Sequence, residues 1–259
     1  MPTYALRIEY DGTRYAGWQR QPRGISIQQL LEEALQVLVR ESARVVGAGR
    51  TDAGVHAREQ VAHVRLERPI GPRRLLAGLN GLLPRDVRLW AVAEAPPGFH
   101  ARYSARRRTY RYYLSTAPSA LDGHQSWFCP YPLDWDRLQE ATAQLVGERD
   151  FGAFVKQGCA AASRRCFVYE ASWHRHPLWP RRYYFEITAN RFLRGMVRLL
   201  VGTLVQIGRG KLPPDAVRAY LAHPEQSRAI WAAPAHGLVL EAVEYEEELP
   251  WVYASASGL

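Results

Sequence analysis

The chain has 259 residues, 47% of them hydrophobic and 23% charged, a composition that suits a folded protein of one large or two ordinary domains and excludes disordered, collagen-like and coiled-coil sequence. Its formal net charge is +9, and because Glu241 to Glu248 hold five acids and no base, the rest of the chain carries +14 and calls for an anionic partner. No run of about 18 apolar residues occurs and the opening MPTYALRIEY has no basic-then-apolar leader, so no membrane contact and a cytoplasmic location are expected.

Tyr4, Leu6, Ile8 and Tyr10 alternate with Thr3, Ala5, Arg7 and Glu9, which predicts a half-buried strand that Asp11-Gly12 turns. Ser26 with Gln29 forms a capping box, and Ile27, Leu30, Leu31, Ala34, Leu35 and Leu38 recur at helical spacing behind it. Strands are expected over 44–46 and 61–66, a helix over 74–83 stopped by Pro84, and a strand over 87–92 before the Pro96-Pro97-Gly98 break. The second half repeats the order. A strand over 109–114 precedes a helix that is capped by Asp134 and ends near Gly147; strands over 167–173 and 183–188 follow. Then come a long apolar helix over 192–207, a short helix started by Pro213-Pro214, and a closing strand over 238–245. The fold class expected is α+β: two ferredoxin-like halves (βαββαβ) with antiparallel sheets, at 1–104 and 105–250, and a tail at 251–259. No residue-by-residue repeat relates the halves, so the duplication rests on element order alone.

Several familiar sites are missing. Gly47-Ala48-Gly49 follows a strand, but its third glycine is misplaced at Gly54 and Asp52 would repel a pyrophosphate. There is no phosphate loop, no HExxH pair and no GxSxG elbow. His56 and His63 stand seven apart with no third ligand, which reads as surface or satisfied core histidine. Cys129, Cys159 and Cys166 fit neither a disulfide framework nor a paired zinc motif and are expected to stay reduced. No metal and no cofactor is expected.

The segment from Gly47 to Ala57, GAGRTDAGVHA, places an acid beside a base in a glycine-punctuated loop between strands. Arg50, two residues before Asp52, would hold the carboxylate ionised, which suits a nucleophile better than a general acid. The alternative is an Asx turn without chemistry. Arg102, Tyr103, Arg106, Arg107, Arg108, Tyr110 and Arg111 interleave cations with aromatics, as a nucleic-acid surface does, although charge runs are more often solvated faces. Lys156 and Lys211 are the only lysines; arginine is the better phosphate ligand, but its position carries more information than its number.

GRTDAGVHA, with Tyr10-Asp11-Gly12-Thr13-Arg14-Tyr15-Ala16-Gly17-Trp18-Gln19-Arg20-Gln21, resembles the bacterial tRNA pseudouridine synthase A (TruA) family. Three further stretches resemble it in order: Phe99 to Tyr112, Phe192 to Arg198 with Gly202-Thr203-Leu204, and Ala233 to Leu238. The sequence departs from the family pattern at 159–165 and 227–232. The resemblance implies a pseudouridine synthase fold with an active-site cleft between the halves, and isomerisation of uridine to pseudouridine at positions 38, 39 and 40 of the tRNA anticodon stem-loop. It implies no cofactor, metal or ATP, and a homodimer in which one tRNA touches both subunits. Asp52 matches the catalytic aspartate, Arg50 the residue that flips and positions the nucleotide, and Tyr110 the tyrosine that stacks on the target base. Tyr110 and Tyr112 share one strand face and Arg111 and Tyr113 the other, so the choice of the Tyr110 face comes from the resemblance.

Arg198 lies within an apolar helix and needs an anionic partner, for which Asp52 is the candidate; a structural acid or snorkelling to the surface would also explain it. Arg194, one helical turn earlier, is expected to extend the same face. Substrate contacts are expected from Arg102, Arg106, Arg107, Arg108 and Arg111 and from Arg14, with Arg20 and Arg23 around Trp18 as secondary candidates. Two rival readings remain: a non-catalytic RNA-binding module, and an acid-dependent glycosidase or nuclease, for which Glu59 is the nearest following carboxylate.

Overall fold

The alternating residues of the first strand settle β1, Thr3–Tyr10, into the middle of a sheet. The computed structural model describes residues 1–158, 161–226 and 231–254. In chain order the elements after β1 are α1 (Ile27–Val39), β2 (Val46–Gly47), β3 (His56–Arg65), α2 (Pro72–Leu82), β4 (Val87–Ala95), β5 (Ala105–Ser115), β6 (Trp127–Phe128), α3 (Trp135–Ala143), β7 (Gly147–Asp150), β8 (Arg165–Arg175), β9 (Arg182–Ala189), α4 (Met196–Gly208), α5 (Ala216–Ala222), β10 (Leu238–Tyr245) and β11 (Val252–Tyr253). They form two compact units, Met1–Arg106 with Leu240–Leu259, and Arg107–Val239. The last strand of the expected second half thus falls mainly in the first unit, as does β11 in the expected tail.

In the first unit the strand order is β11-β4-β1-β3-β10, with β2 paired to β3. β1 runs antiparallel to β3 and β4, with Leu6 opposite Ala62 and Val92. Ser26 caps α1 as expected, its Oγ accepting the Gln29 N–H at 3.2 Å. On the next turn Gln29 Nε2 donates to Glu33 Oε1 at 2.9 Å. α1 buries Ile27, Leu31 and Leu35, α2 buries Leu75, Leu76 and Leu79, and each such side chain contributes about 1.5–3 kcal/mol. β3 begins five residues before the expected 61–66. Arg58 and Glu59 break the hydrophobic alternation there, but each finds an ion partner, Glu241 at 3.4 Å and Arg7 at 3.2 Å, so charge does not end the strand.

In the second unit the order is β5-β9-β8-β7, all antiparallel, while the two residues of β6 pair parallel with β5, a departure from purely antiparallel sheets. Tyr112, Phe185 and Trp173 lie in register across three strands and are all buried. α3 is capped by Asp134, whose carboxylate accepts from the Asp136 and Arg137 N–H groups, and packs on α4. α4 is buried along most of its length but begins at Met196, four residues after the expected start. Gly195 precedes it with φ of 72°, a left-handed conformation that ends the preceding turn and starts the helix afresh. Arg194 therefore lies ahead of the helix and does not extend the Arg198 face. Among the described residues no helix is long and apolar enough to cross a membrane.

Candidate active site

The loop between β2 and β3 is held from beneath by side chains far away in sequence. Thr51 is buried, its Oγ1 2.8 Å from the Tyr10 hydroxyl and its carbonyl accepting the Trp18 N–H at 3.1 Å. Burial pushes the Tyr10 hydroxyl up to about 12, so it stays protonated beside Thr51. Gln60, fully buried, donates from Nε2 to the Gly49 carbonyl at 3.0 Å, and Ala48 donates to the Val61 carbonyl at 2.7 Å. Val55 N–H returns to the Asp52 carbonyl at 3.1 Å, closing a turn that begins on Asp52. The backbone on both sides of Asp52 is thereby fixed, while its side chain is half-buried and Arg50 is exposed. A carboxylate presented this way can attack a ligand or be solvated without disturbing the fold.

The segment after β1 supports that loop. Asp11, expected to turn the chain after β1, accepts from the Thr13 N–H at 2.9 Å and starts a short 3-10 turn, Gly12–Arg14. Buried His56 accepts the Gly12 N–H on Nδ1 at 3.1 Å. His63, also buried, accepts the Ala101 N–H at 3.1 Å. Both are satisfied core histidines. Among the described residues no group of three His, Cys, Asp or Glu side chains could hold a metal ion. Cys129 and Cys166 are buried free thiols, and Cys159 lies outside the described residues.

Several predicted contact residues already have partners. Arg14 donates to Asp86 Oδ2 at 2.6 and 3.0 Å, and the Tyr15 hydroxyl donates to the other carboxylate oxygen at 2.6 Å. Burial works to raise the Asp86 carboxyl, but these hydrogen bonds outweigh it and hold it below the usual carboxylate range. Arg20 lies between Glu32 at 3.2 Å and Glu33 at 3.9 Å, Arg23 is exposed, and Trp18 is buried, its ring 6.3 Å from that of Tyr10. Arg106 pairs with Glu246, and Arg111 with Glu186 while lying 4.8 Å over the Tyr184 ring. Arg108 is buried and donates to the Asn190 carbonyl at 2.7 Å. Arg102 and Arg107 are the two exposed members stacked on tyrosine rings, Tyr103 at 5.6 Å and Tyr169 at 4.4 Å.

In the second unit Tyr110 is buried with its ring edge-on to Phe192 at 5.0 Å, and Tyr112 on the same face donates its hydroxyl to the Pro234 carbonyl at 2.9 Å. Arg198 is half-buried on α4. Its Nε donates to the Ala233 carbonyl at 2.7 Å, and its own carbonyl accepts the Ala233 N–H at 2.9 Å. Arg194 is exposed. Tyr10, Trp18 and Gln60, which hold or back the Asp52 loop, are missed by sequence reasoning.

A family model described as tRNA pseudouridine synthase matches residues 7–104 and 141–246. A tRNA pseudouridine synthase A from Roseiflexus sp. is 45% identical over 251 residues, covering 96% of this chain and 92% of that protein. One from Geobacter sulfurreducens is 43% identical over 249 residues, covering 95% and 100%. One from Parabacteroides distasonis is 39% identical over 251 residues, covering 96% and 98%. A solved structure titled as a Cbf5-Nop10-Gar1 complex is 12% identical with a TM-score of 0.32, covering 78% of this chain and 45% of that one, too distant to inform the fold.

Proposed function

This chain belongs to the tRNA pseudouridine synthase family, and from that premise we propose that it isomerises uridine to pseudouridine at positions 38, 39 and 40 of the tRNA anticodon stem-loop, with Asp52 as nucleophile. It is an isomerase whose homologues carry the name tRNA pseudouridine synthase A over nearly the full chain. The observation that carries the finer reading is the Asp52 loop itself, whose backbone is pinned by Thr51, Gly49 and Val55 while the acid keeps a partly exposed side chain. The βαββαβ order of residues 3–95 supports the ferredoxin-like reading of the fold.

In this reaction the Asp52 carboxylate attacks the nucleotide at the sugar C1′ or the uracil C6, and the bond from C1′ to N1 breaks. The base turns, C1′ bonds to C5, the bond to Asp52 breaks and returns its electron pair to the carboxylate, the C5 proton is lost and N1 is protonated, so the product is an isomer of the substrate and Asp52 is regenerated. Side chains suffice, and no metal or cofactor is assigned. Arg50 is proposed to enter the place vacated by the flipped nucleotide, Tyr110 to stack on the target base, and Arg198 to serve Asp52 as its cationic partner. Arg102 and Arg107 are the preferred phosphate contacts. Arg14, Arg106, Arg108, Arg111 and Arg194 are proposed as further substrate contacts. A homodimer, a cytoplasmic location and geometric recognition of a flexible stem-loop belong to the same reading.

The test is incubation of purified protein, without added metal or nucleotide, with an unmodified tRNA transcript bearing uridines at positions 38 to 40, followed by carbodiimide mapping of pseudouridine. Wild type is expected to yield product and Asp52→Ala none, with both still binding the transcript. Product from both would remove Asp52 as nucleophile; binding without product from either would favour the RNA-binding module.

A further inference from the structure

The second unit has an aromatic cavity that the reaction above does not use. Arg198, Gly202, Gln206 and Arg209 follow on α4 and its cap at helical spacing and share one face. The segment 231–234 runs along that face. Ala233 hydrogen-bonds Arg198 in both directions, and the Trp231 carbonyl crosses Gly202 so closely that a side-chain carbon there would lie 1.7 Å from it. At the far end Trp127, Pro130, Tyr131, Gln206, Arg209 and Trp231 line an open cavity of about 320 Å³. Gln206 is about 12 Å from Arg198 along the helix axis, so this place is separate from the Arg198 guanidinium.

Its walls select a ligand by charge. The Trp127 and Trp231 rings lie 5.2 Å apart at 57°, and Trp231 is 46% exposed. The Arg209 guanidinium stands 3.5 Å over the Tyr131 ring, so it occupies the face a ligand cation would use and repels that cation. α4 ends here at its Arg209 cap, where the negative end of the helix dipole offsets part of the Arg209 charge and weakens its pull on a phosphate. What remains favourable is a neutral, planar ring that stacks on exposed indole, with hydrogen-bonding edge groups for Gln206 and Arg209. We infer that this cavity receives an unpaired base of the RNA substrate other than the one isomerised, an inference that rests on the tRNA reading above.

The test is ¹⁹F NMR of protein labelled with 5-fluorotryptophan, the Trp231 signal being identified by its loss in Trp231→Phe. Adenosine and uridine are expected to shift that signal saturably, in wild type and in Asp52→Ala alike, while ribose 5-phosphate and tetramethylammonium leave it in place. A shift with the phosphate or the cation, or none with either nucleoside, overturns the inference. With the tRNA transcript, Trp231→Ala is expected to raise KM roughly tenfold, the loss of one stacked base, with a much smaller effect on kcat. An unchanged KM would sink the RNA-base assignment even if nucleosides bind. Because the nucleoside titration needs no turnover, its failure is distinguishable from failure of the synthase reading.

Discussion

Gly17 has φ of 92°, and a side-chain carbon on it would stand 2.5 Å from the Thr51 carbonyl and 3.0 Å from the Ala53 nitrogen. Gly17→Ala is therefore expected to cost about 1–3 kcal/mol, read by urea unfolding, and to displace the Asp52 loop so that turnover falls further than stability does. His63 gives a pH prediction. Burial first, then His100 and Arg65, lower its pKa from 6.5 to about 4, so the folded state keeps it neutral where the unfolded chain would protonate it. The unfolded state binds more protons in that window; stability is expected to fall as pH drops from about 6.5 to 4, more steeply in wild type than in His63→Gln. Equal slopes in a thermal-melt series would refute this. At this scale the loop that carries Asp52 and Arg50 was legible in sequence, because glycine and charge are concentrated in one stretch. Tyr10, Trp18 and Gln60 were not, because what they do depends on contacts between β1, the loop after it and β3, which no local pattern records.

Elements were legible where a local rule dominates. Ser26 and Asp134 each cap the expected helix, and Ser26→Ala is expected to lower stability by about 1 kcal/mol in chemical denaturation, since the Gln29 N–H loses its acceptor. Boundaries failed where long-range partners override the pattern. Apolar residues continue upstream of α4, yet Gly195 breaks the helix there; charges interrupt β3, yet ion pairs carry the strand through them. β11 was invisible because two residues hold no periodicity. It forms by pairing Val252 and Tyr253 with Val92 and Ala91, while Trp251 and Trp90 bracket the Arg7 guanidinium at 4.3 and 5.1 Å.

For the molecule as a whole, +9 of net charge makes tRNA binding a counterion-release process. Affinity is expected to fall log-linearly with salt, and Arg102→Gln and Arg107→Gln each to reduce that slope by about one in filter-binding titrations; unchanged slopes would place the phosphate contacts elsewhere. The α+β class and most of the element order were readable from periodicity, but the assignment of β10 to the first unit was not, since adjacency in a sheet is independent of adjacency in the chain. That assignment bears on how the protein is made. The first unit is interrupted by residues 107–239, so during translation β3 emerges long before the strand that follows it in the sheet, while the second unit can complete itself first. A nascent chain stalled before residue 240 would present the long, largely buried β3 with one edge lacking β10, a template for pairing with another chain.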